Sequence, residues 1–202
     1  MLAEALPWIA IVLGAYLLGS TPSAYLVTRW VARKDIRRIG DLNSGAANVF
    51  RTVGRTAGMI VFLVDLAKGA VAIALAWILA GTLWPYWGMA AAASAIAGHN
   101  WPVYLRFRGG RGAATAAGAL LALFPALAVP LSLLGIVALL LTRNATKALA
   151  CLFIPLPLLT WPLGYSAPQI ACAFGLPILV GVSHFLSVRR KPLPAPGHSP
   201  QG

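Results

Sequence analysis

Residues 57–80 read AGMIVFLVDLAKGAVAIALAWILA, and this stretch decides the fold. It is longer than the roughly 20 apolar residues that a helix needs to cross a bilayer, and only Asp65 and Lys68 in it are ionisable. Across the chain, 59% of the residues are hydrophobic and 10% are charged, whereas soluble domains carry about 25% charged residues. The sequence therefore predicts an all-α integral membrane protein.

Further apolar stretches bring the predicted number of transmembrane helices to about seven, some of them short or broken. The stretch 113–142 is too long for one straight span and contains Pro125 and Pro130, so we divide it near Phe124-Pro125. The first stretch is interrupted at residues 19–23. The predicted segments are 6–30, 57–80, 86–105, 113–124, 125–142, 148–163 and 168–188.

The net charge of +12 comes from short basic clusters between these segments. A nucleic-acid-binding protein would need a water-soluble basic face, so we reject that class. All basic residues except Lys68 fall in the first, third, fifth and last connections. The positive-inside rule then predicts an N-terminus outside and a C-terminus in the cytoplasm.

The two ends and the cysteines carry simpler predictions. No Lys or Arg precedes the first apolar run, which favours a retained first helix over a cleaved signal peptide. Residues 192–202 are rich in proline and are predicted to form a disordered cytoplasmic tail after a membrane-embedded domain at 1–191. Cys151 and Cys172 lie in apolar segments and are interpreted as packing residues.

Residues 35–54, which we call the first loop, contain groups that suit an anion. Asn43, Gly45 and Asn48 favour a tight turn in which backbone N–H groups converge, and such turns bind anions. Arg51 follows on a predicted short helix, and a guanidinium group offers phosphate a fixed fork of donors. The alternative is an ordinary basic connecting loop.

Residues 98–112, the second loop, end in Gly109-Gly110-Arg111-Gly112 just before a helix predicted to begin near Ala113. A glycine-rich turn at a helix N-terminus brings backbone amides and the helix dipole to a phosphate. The Lys-Ser/Thr pair of a nucleotide-binding P-loop is missing. A flexible basic loop is again the alternative.

Four ionisable residues near these loops are further candidates. His99 and His184 are predicted at the cytoplasmic ends of their helices, where imidazole can exchange a proton near neutral pH; a packing role for His99 is the alternative. Asp65 and Lys68 lie one helical turn apart inside an apolar segment, where ionisable groups are functional candidates. A purely structural ion pair explains them equally well, and Lys68 could also reach the loops.

The sequence lacks the residue patterns of metal sites and of paired-carboxylate hydrolases. The sequence has no His/Cys/carboxylate cluster for a metal, and its four acidic residues argue against paired-carboxylate hydrolysis. Anion-binding loops beside an apolar interior suit a substrate with a phosphate head and an acyl tail. No internal repeat is visible, which weakens the alternative of a transporter.

Several motifs together make the chain resemble the bacterial acyl-phosphate-dependent glycerol-3-phosphate acyltransferases, which are small integral membrane proteins. The resemblance covers about half of the chain. It is carried by Gly19-Ser20-x-Pro22-Ser23-Ala24-Tyr25-Leu26, Asp35-Ile36-Arg37-Arg38-Ile39-Gly40, Asn43-x-Gly45-Ala46-x-Asn48-Val49-x-Arg51, Asp65-x-x-Lys68-Gly69, Gly98-His99-Asn100-Trp101-Pro102 and Phe107-x-Gly109-Gly110-Arg111-Gly112-x-Ala114-Thr115.

The resemblance implies acyl transfer from acyl phosphate to the 1-hydroxyl of glycerol 3-phosphate, giving lysophosphatidic acid and phosphate. It implies no cofactor or metal, no direct use of acyl-CoA or acyl-carrier protein, and a site on the cytoplasmic side of the bacterial inner membrane. Membrane lipids are expected neighbours, nucleic acid is not a partner, and a monomer is the expected state. The implied catalytic residues are Arg51, His184 and His99. The implied substrate-binding residues are Asn43, Gly45, Asn48, Lys68, Gly109, Gly110, Arg111, Gly112 and Ser187.

The chain departs from the family pattern at four places. Asp41-Leu42 replaces the usual Ser-Gly, Ala47 a Thr, Arg111 a Lys, and Ser187 an Asn. A carboxylate in a phosphate pocket is unfavourable by Coulomb repulsion, and we expect Arg37 or Arg38 to offset Asp41. A paralogue with another acceptor, an inactive paralogue, and a transporter of phosphorylated anions are the alternatives.

Overall fold

The computed structural model describes residues 2–80 and 84–189, and within these ranges the chain folds into helices and no strands. The tail predicted at 192–202 lies outside the described residues. The α-helices in chain order are α1 (Leu2–Ser20), α2 (Ser23–Ala32), α3 (Ala46–Thr52), α4 (Arg55–Ala80), α5 (Trp84–Asn100), α6 (Ala113–Leu123), α7 (Pro125–Thr142), α8 (Ala145–Phe153), α9 (Pro155–Thr160) and α10 (Ala167–Arg189).

The all-α prediction is confirmed, and the described part of the chain contains four stretches long and apolar enough to cross a membrane. They are Leu6–Ala32, Arg55–Leu79, Pro125–Thr142 and Ala167–Ser187. Two shorter apolar stretches, Ala113–Leu123 and Ala145–Thr160, complete the set of candidates. The total of seven spans stays a prediction.

Prolines lie at several of the breaks between the helices. The division of 113–142 is confirmed, because α6 ends at Leu123 and α7 begins at Pro125. The predicted third segment ends earlier than expected, at Asn100 instead of Leu105, because Pro102 lacks an N–H group and restricts the residue before it. Pro155 likewise divides the sixth segment into α8 and α9.

The interior is built from small residues that let helices approach closely. Alanines of α4, α5 and α6 dominate the buried cluster, and close packing of small residues drives helix association in membranes. A Cβ atom on Gly118 of α6 would lie 1.9 Å from the Leu66 carbonyl oxygen of α4. This crossing therefore requires glycine, and it fixes α6 against the helix that carries Asp65 and Lys68.

The outward faces are apolar. Large side chains of α7 such as Leu133, Leu140 and Leu141 are exposed, although nothing in a soluble protein would favour a helix covered with them. The exposed leucines give the bundle a lipid-compatible surface. Polar side chains are instead gathered where α3, the second loop and the end of α10 meet.

Candidate functional site

The first loop is organised around the buried side chain of Asn48. Its Oδ1 accepts a hydrogen bond from the Asp41 N–H at 3.2 Å, and its Nδ2 donates to the carbonyls of Ile39 and Asn43 at 3.1 and 3.0 Å. A buried amide that is used in this way stabilises the loop because leaving it unpaired would cost about 1–3 kcal/mol. The structure therefore places Asn48 beneath the loop, where it shapes the turn that carries Asp41.

Arg37 and Asp35 form a local ion pair at the start of this loop. Arg37 donates through Nε and Nη2 to the two carboxylate oxygens at 3.0 and 2.8 Å. The hydrogen bond from Arg37 holds the pKa of Asp35 below its usual value, and the same contact raises the pKa of Arg37. Arg37 is thus paired with Asp35, two residues away, and not with Asp41.

The expectation that Arg37 or Arg38 offsets Asp41 is therefore corrected by the structure. Asp41 Oδ2 lies 2.9 Å from Arg51 Nη2 and 4.0 Å from Arg111 Nη2. Arg51 reaches Asp41 from the last turn of α3, and Arg111 reaches it from the second loop. The carboxylate consequently joins the two arginines that the sequence assigned to separate anion-binding loops.

Backbone conformation folds the second loop back on itself. Arg106 and Phe107 both have positive φ angles, 54° and 61°, which turn the chain so that it runs back along the end of α5. The N–H groups of Gly109 and Gly110 then donate to the carbonyls of Asn100 and His99 at 3.2 and 3.1 Å. These bonds place Arg111 at the edge of the loop, next to Asp41.

The end of α10 is tied to the second loop by two side-chain contacts. Asn100 Nδ2 donates to Ser183 Oγ at 2.6 Å, and Arg111 Nε donates to Ser187 Oγ at 3.0 Å. Ser183 and Ser187 lie one turn apart and so face the loop together. The sequence motif pointed to Ser187, whereas nothing in the local sequence indicated Ser183.

A buried ionic cluster lies below both loops. Lys68 Nζ is 2.7 Å from Asp65 Oδ1 and donates to the carbonyls of Thr21 and Gly19 at 2.7 and 3.4 Å. Asp65 also accepts a hydrogen bond from Ser23 Oγ at 2.5 Å. Carbonyls at a helix C-terminus lack intrahelical partners, so the ammonium group of Lys68 caps the end of α1 at the break before α2.

These elements border a cleft of about 1100 Å³. Its lining includes the arginines Arg37, Arg38, Arg106, Arg108 and Arg111, the aspartates Asp35 and Asp41, and the apolar and aromatic side chains Tyr25, Leu42, Trp101, Tyr104, Phe107 and Leu186. The charged and apolar groups are interleaved, since the Arg37 guanidinium lies over the Tyr25 ring, 5.2 Å from its centroid. An excess of positive charge beside apolar surface suits a ligand with an anionic head and an apolar tail.

The predicted site residues either line the cleft, line a smaller cavity, or lie behind or beside the cleft. Those that line the cleft are Asn43, Gly109, Gly110, Arg111 and Ser187. Arg51 joins them through its ion pair with Asp41. Lys68 and His99 line a separate cavity of about 10 Å³ beneath the second loop.

The remaining predicted residues are placed behind or beside the cleft. Gly45 caps α3, and Gly112 caps α6 with a φ angle of 76°. Together with Asn48, they shape the loops from behind. His184 is exposed on α10, and the cleft wall there is formed by its neighbours Ser183, Leu186 and Ser187.

The backbone at Leu42 explains one departure from the family motif. Leu42 has a φ angle of 63°, which costs a non-glycine residue about 1–2 kcal/mol. This is the position at which the resembling family usually has glycine. The turn has therefore kept its left-handed conformation although the residue that suits it has been replaced.

The fold and the site together define a helical membrane protein with a cleft lined by arginines and apolar side chains. Residues 9–191 match the family model described as glycerol-3-phosphate acyltransferase. The chain is 44% identical over 182 residues to glycerol-3-phosphate acyltransferase 4 of Dehalococcoides mccartyi, covering 90% of this chain and 97% of the relative. It is 36% identical over 177 residues to glycerol-3-phosphate acyltransferase of Endomicrobium trichonymphae, covering 87% of each.

Solved structures agree with these relatives. The crystal structure of PlsY (YgiH), an integral membrane glycerol 3-phosphate acyltransferase, in its glycerol 3-phosphate form is similar with a TM-score of 0.79 at 28% identity. The match covers 91% of this chain and 90% of that one. The lysophosphatidic acid form of PlsY matches with a TM-score of 0.76. The chain belongs to the glycerol-3-phosphate acyltransferase family.

The buried cluster yields a stability prediction. Asp65→Ala leaves the Lys68 ammonium group buried without its counter-ion, and removing one partner of a buried pair costs about 3–5 kcal/mol. We expect a large fall in the thermal unfolding temperature of the detergent-solubilised protein, followed by tryptophan fluorescence. The double variant Asp65→Ala/Lys68→Met removes both charges and should recover part of the loss. An unfolding temperature of Asp65→Ala equal to that of the wild type would contradict this role.

Proposed function

We propose that the protein transfers a fatty acyl group from acyl phosphate to the 1-hydroxyl of glycerol 3-phosphate in phospholipid synthesis. The products are lysophosphatidic acid and inorganic phosphate. The observation that carries the proposal is the convergence of Arg51 and Arg111, from two separate loops, at one edge of a cleft whose lining also includes apolar side chains. Membership of the family and the similarity to the glycerol 3-phosphate form of PlsY support glycerol 3-phosphate as the acceptor.

The reaction needs little chemistry from the protein, because acyl phosphate is an activated mixed anhydride. The acceptor hydroxyl oxygen attacks the acyl carbon, and the bond from that carbon to the phosphate oxygen breaks as the new ester bond forms. The proton passes to the departing phosphate or to His184. Arg51 and Arg111 hold the phosphate groups, which supplies proximity and stabilises the developing charge; the Gly109 and Gly110 N–H groups are already bonded to the Asn100 and His99 carbonyls.

The lining of the cleft supports this division of labour. Guanidinium groups bind phosphate oxygens through a planar fork, so the arginines suit both the acceptor and the leaving phosphate. Trp101, Phe107 and Leu186 in the same lining suit the first carbons of an acyl chain.

Asp41 favours a second candidate, an acyltransferase that uses another acceptor. Its carboxylate occupies the space between Arg51 and Arg111 and cannot donate a hydrogen bond to phosphate when ionised. A panel of polyols and polyol phosphates, supplied with acyl phosphate to the purified protein, separates this candidate from the first. Anion flux in liposomes without acyl transfer would instead favour a transporter.

The membrane arrangement that fits this function has seven spans, with the N-terminus outside and the cleft and C-terminus in the cytoplasm. The basic residues around the cleft support this orientation, because cytoplasmic connections carry the excess of Lys and Arg. We expect a tag after Gly202 to be protected from protease in intact cells and cleaved in inverted membrane vesicles. Cleavage in intact cells would reverse the proposed orientation.

Arg51 is expected to be essential for transfer. Arg51→Ala removes a fixed donor pair from the phosphate groups, and loss of one such donor costs about 100-fold or more in rate. The measurement is phosphate release and lysophosphatidic acid formation in membranes with equal amounts of folded protein. Arg55→Ala, an exposed position at the start of α4, is the matched control and should keep activity. Activity retained by Arg51→Ala would refute the assignment.

Asp41 is expected to compete with the acceptor for Arg51. Exposed ion pairs contribute about 0.2–1 kcal/mol, and about 1.4 kcal/mol corresponds to a tenfold change in affinity. Asp41→Ser and Asp41→Asn should therefore lower the KM for glycerol 3-phosphate by up to about fivefold, as measured by initial rates. A higher KM in both variants would show that Asp41 organises Arg51 instead of competing with the substrate.

A further inference from the structure

His99, in the last turn of α5, lies between the buried ionic cluster and the glycines of the second loop and contacts both. Its Nδ1 is 3.6 Å from Asp65 Oδ1, and its side chain is almost completely buried. Asp65 is fixed in turn by Lys68 and by Ser23. One edge of the imidazole ring therefore rests on a carboxylate that two other groups hold in place.

The opposite edge of the ring supports Gly110. A Cβ atom on Gly110 would lie 2.1 Å from His99 Nε2 and 2.9 Å from the Ser44 carbonyl oxygen of the first loop. The bond from the Gly110 N–H to the His99 carbonyl, at 3.1 Å, fixes the same residue from the backbone side. Gly110 is thus the point at which His99 and both loops meet, and Arg111 is the next residue.

The space around His99 argues against direct contact with the substrate. The cavity that it lines has a volume of about 10 Å³, which is close to the minimum for one water molecule. His99 does not line the cleft of about 1100 Å³, whereas Gly109, Gly110 and Arg111 do. An acceptor hydroxyl in that cleft is separated from the imidazole by the glycine loop.

We infer that His99 is a positioning residue. Its ring packs between Asp65, which is fixed, and Gly110, and it thereby holds Gly110 in place. The position of Gly110 in turn sets where the next residue, Arg111, meets its anionic ligand. The kinetic test of this inference rests on the proposed function, because it measures acyl transfer. The role assigned to His99 is in binding the phosphate group and not in proton transfer. Lys68 contributes to the same positioning, because it neutralises Asp65 and ties it to the end of α1. Misplacement of a binding group by about 1 Å can cost up to about 100-fold.

The test compares His99→Gln, His99→Ala and Gly110→Ala with the wild type in acyl transfer. We expect each variant to raise the KM for glycerol 3-phosphate by about tenfold or more, with kcat changed by less than about threefold. The pH dependence of kcat should keep its shape in both His99 variants. A loss of kcat of about 100-fold together with loss of the acidic limb would overturn the inference and make His99 a general base.

The double variant His99→Ala/Gly110→Ala tests the contact itself. Removing the imidazole removes the closest atom that the new methyl group would meet, so the two effects on KM should combine to less than their product, by about threefold or more. Independent effects would show that the ring does not act through Gly110. If His99→Ala fails to fold, Gly110→Ala and His99→Gln still test the kinetic pattern.

A binding measurement separates failure of this inference from failure of the proposed function. Calorimetric titration of inorganic phosphate into the purified protein should show weaker binding in all three single variants, whether or not acyl transfer occurs. A wild type that binds phosphate but transfers no acyl group would refute the proposed function alone. Unchanged phosphate affinity in the variants would refute the positioning role.

Discussion

The buried ion pair between Asp65 and Lys68 is the interaction on which the arrangement of the cleft depends. Two opposite charges inside an apolar helix are tolerated only when they are paired and hydrogen-bonded, and here the remaining bonds go to Ser23 and to the carbonyls of Thr21 and Gly19. The pair therefore stabilises the break between α1 and α2. It also provides the carboxylate against which His99 rests, at the base of the second loop.

A chain of hydrogen bonds and ion pairs connects this cluster to the cleft. His99 and Asn100 hold Gly109 and Gly110 through backbone bonds, Asn100 reaches Ser183 of α10, and Arg111 reaches Ser187. Arg111 thereby comes within 4.0 Å of Asp41, which pairs with Arg51 of the first loop. The positive charge of the cleft is thus carried by elements far apart in the chain, and Arg51 and Arg111 share the single carboxylate of Asp41, which leaves a net positive charge for an anionic ligand.

The first loop shows how a divergent turn can keep its shape. Asn48 fixes the backbone from below, so the left-handed conformation at residue 42 persists with leucine in it, and the carboxylate of Asp41 points between two arginines. A serine at position 41 would offer a hydrogen-bond donor to phosphate, whereas the carboxylate offers charge to the arginines. The carboxylate thus places a negative charge between Arg51 and Arg111 at the edge of the cleft.

The sequence by itself determined the helices and the set of candidate site residues. Hydropathy and proline are local properties, so the break at Phe124-Pro125, the short helix that carries Arg51 and the start of α6 at Ala113 were predictable. The i,i+3 spacing of Asp65 and Lys68 also sufficed for their pairing. Only the tertiary structure decided that Arg51 and not Arg37 or Arg38 pairs with Asp41, that Asn100 bonds to Ser183, and that His99 lies under Gly110. These contacts join residues of different elements, and their distances depend on how helices pack, which local sequence patterns do not encode.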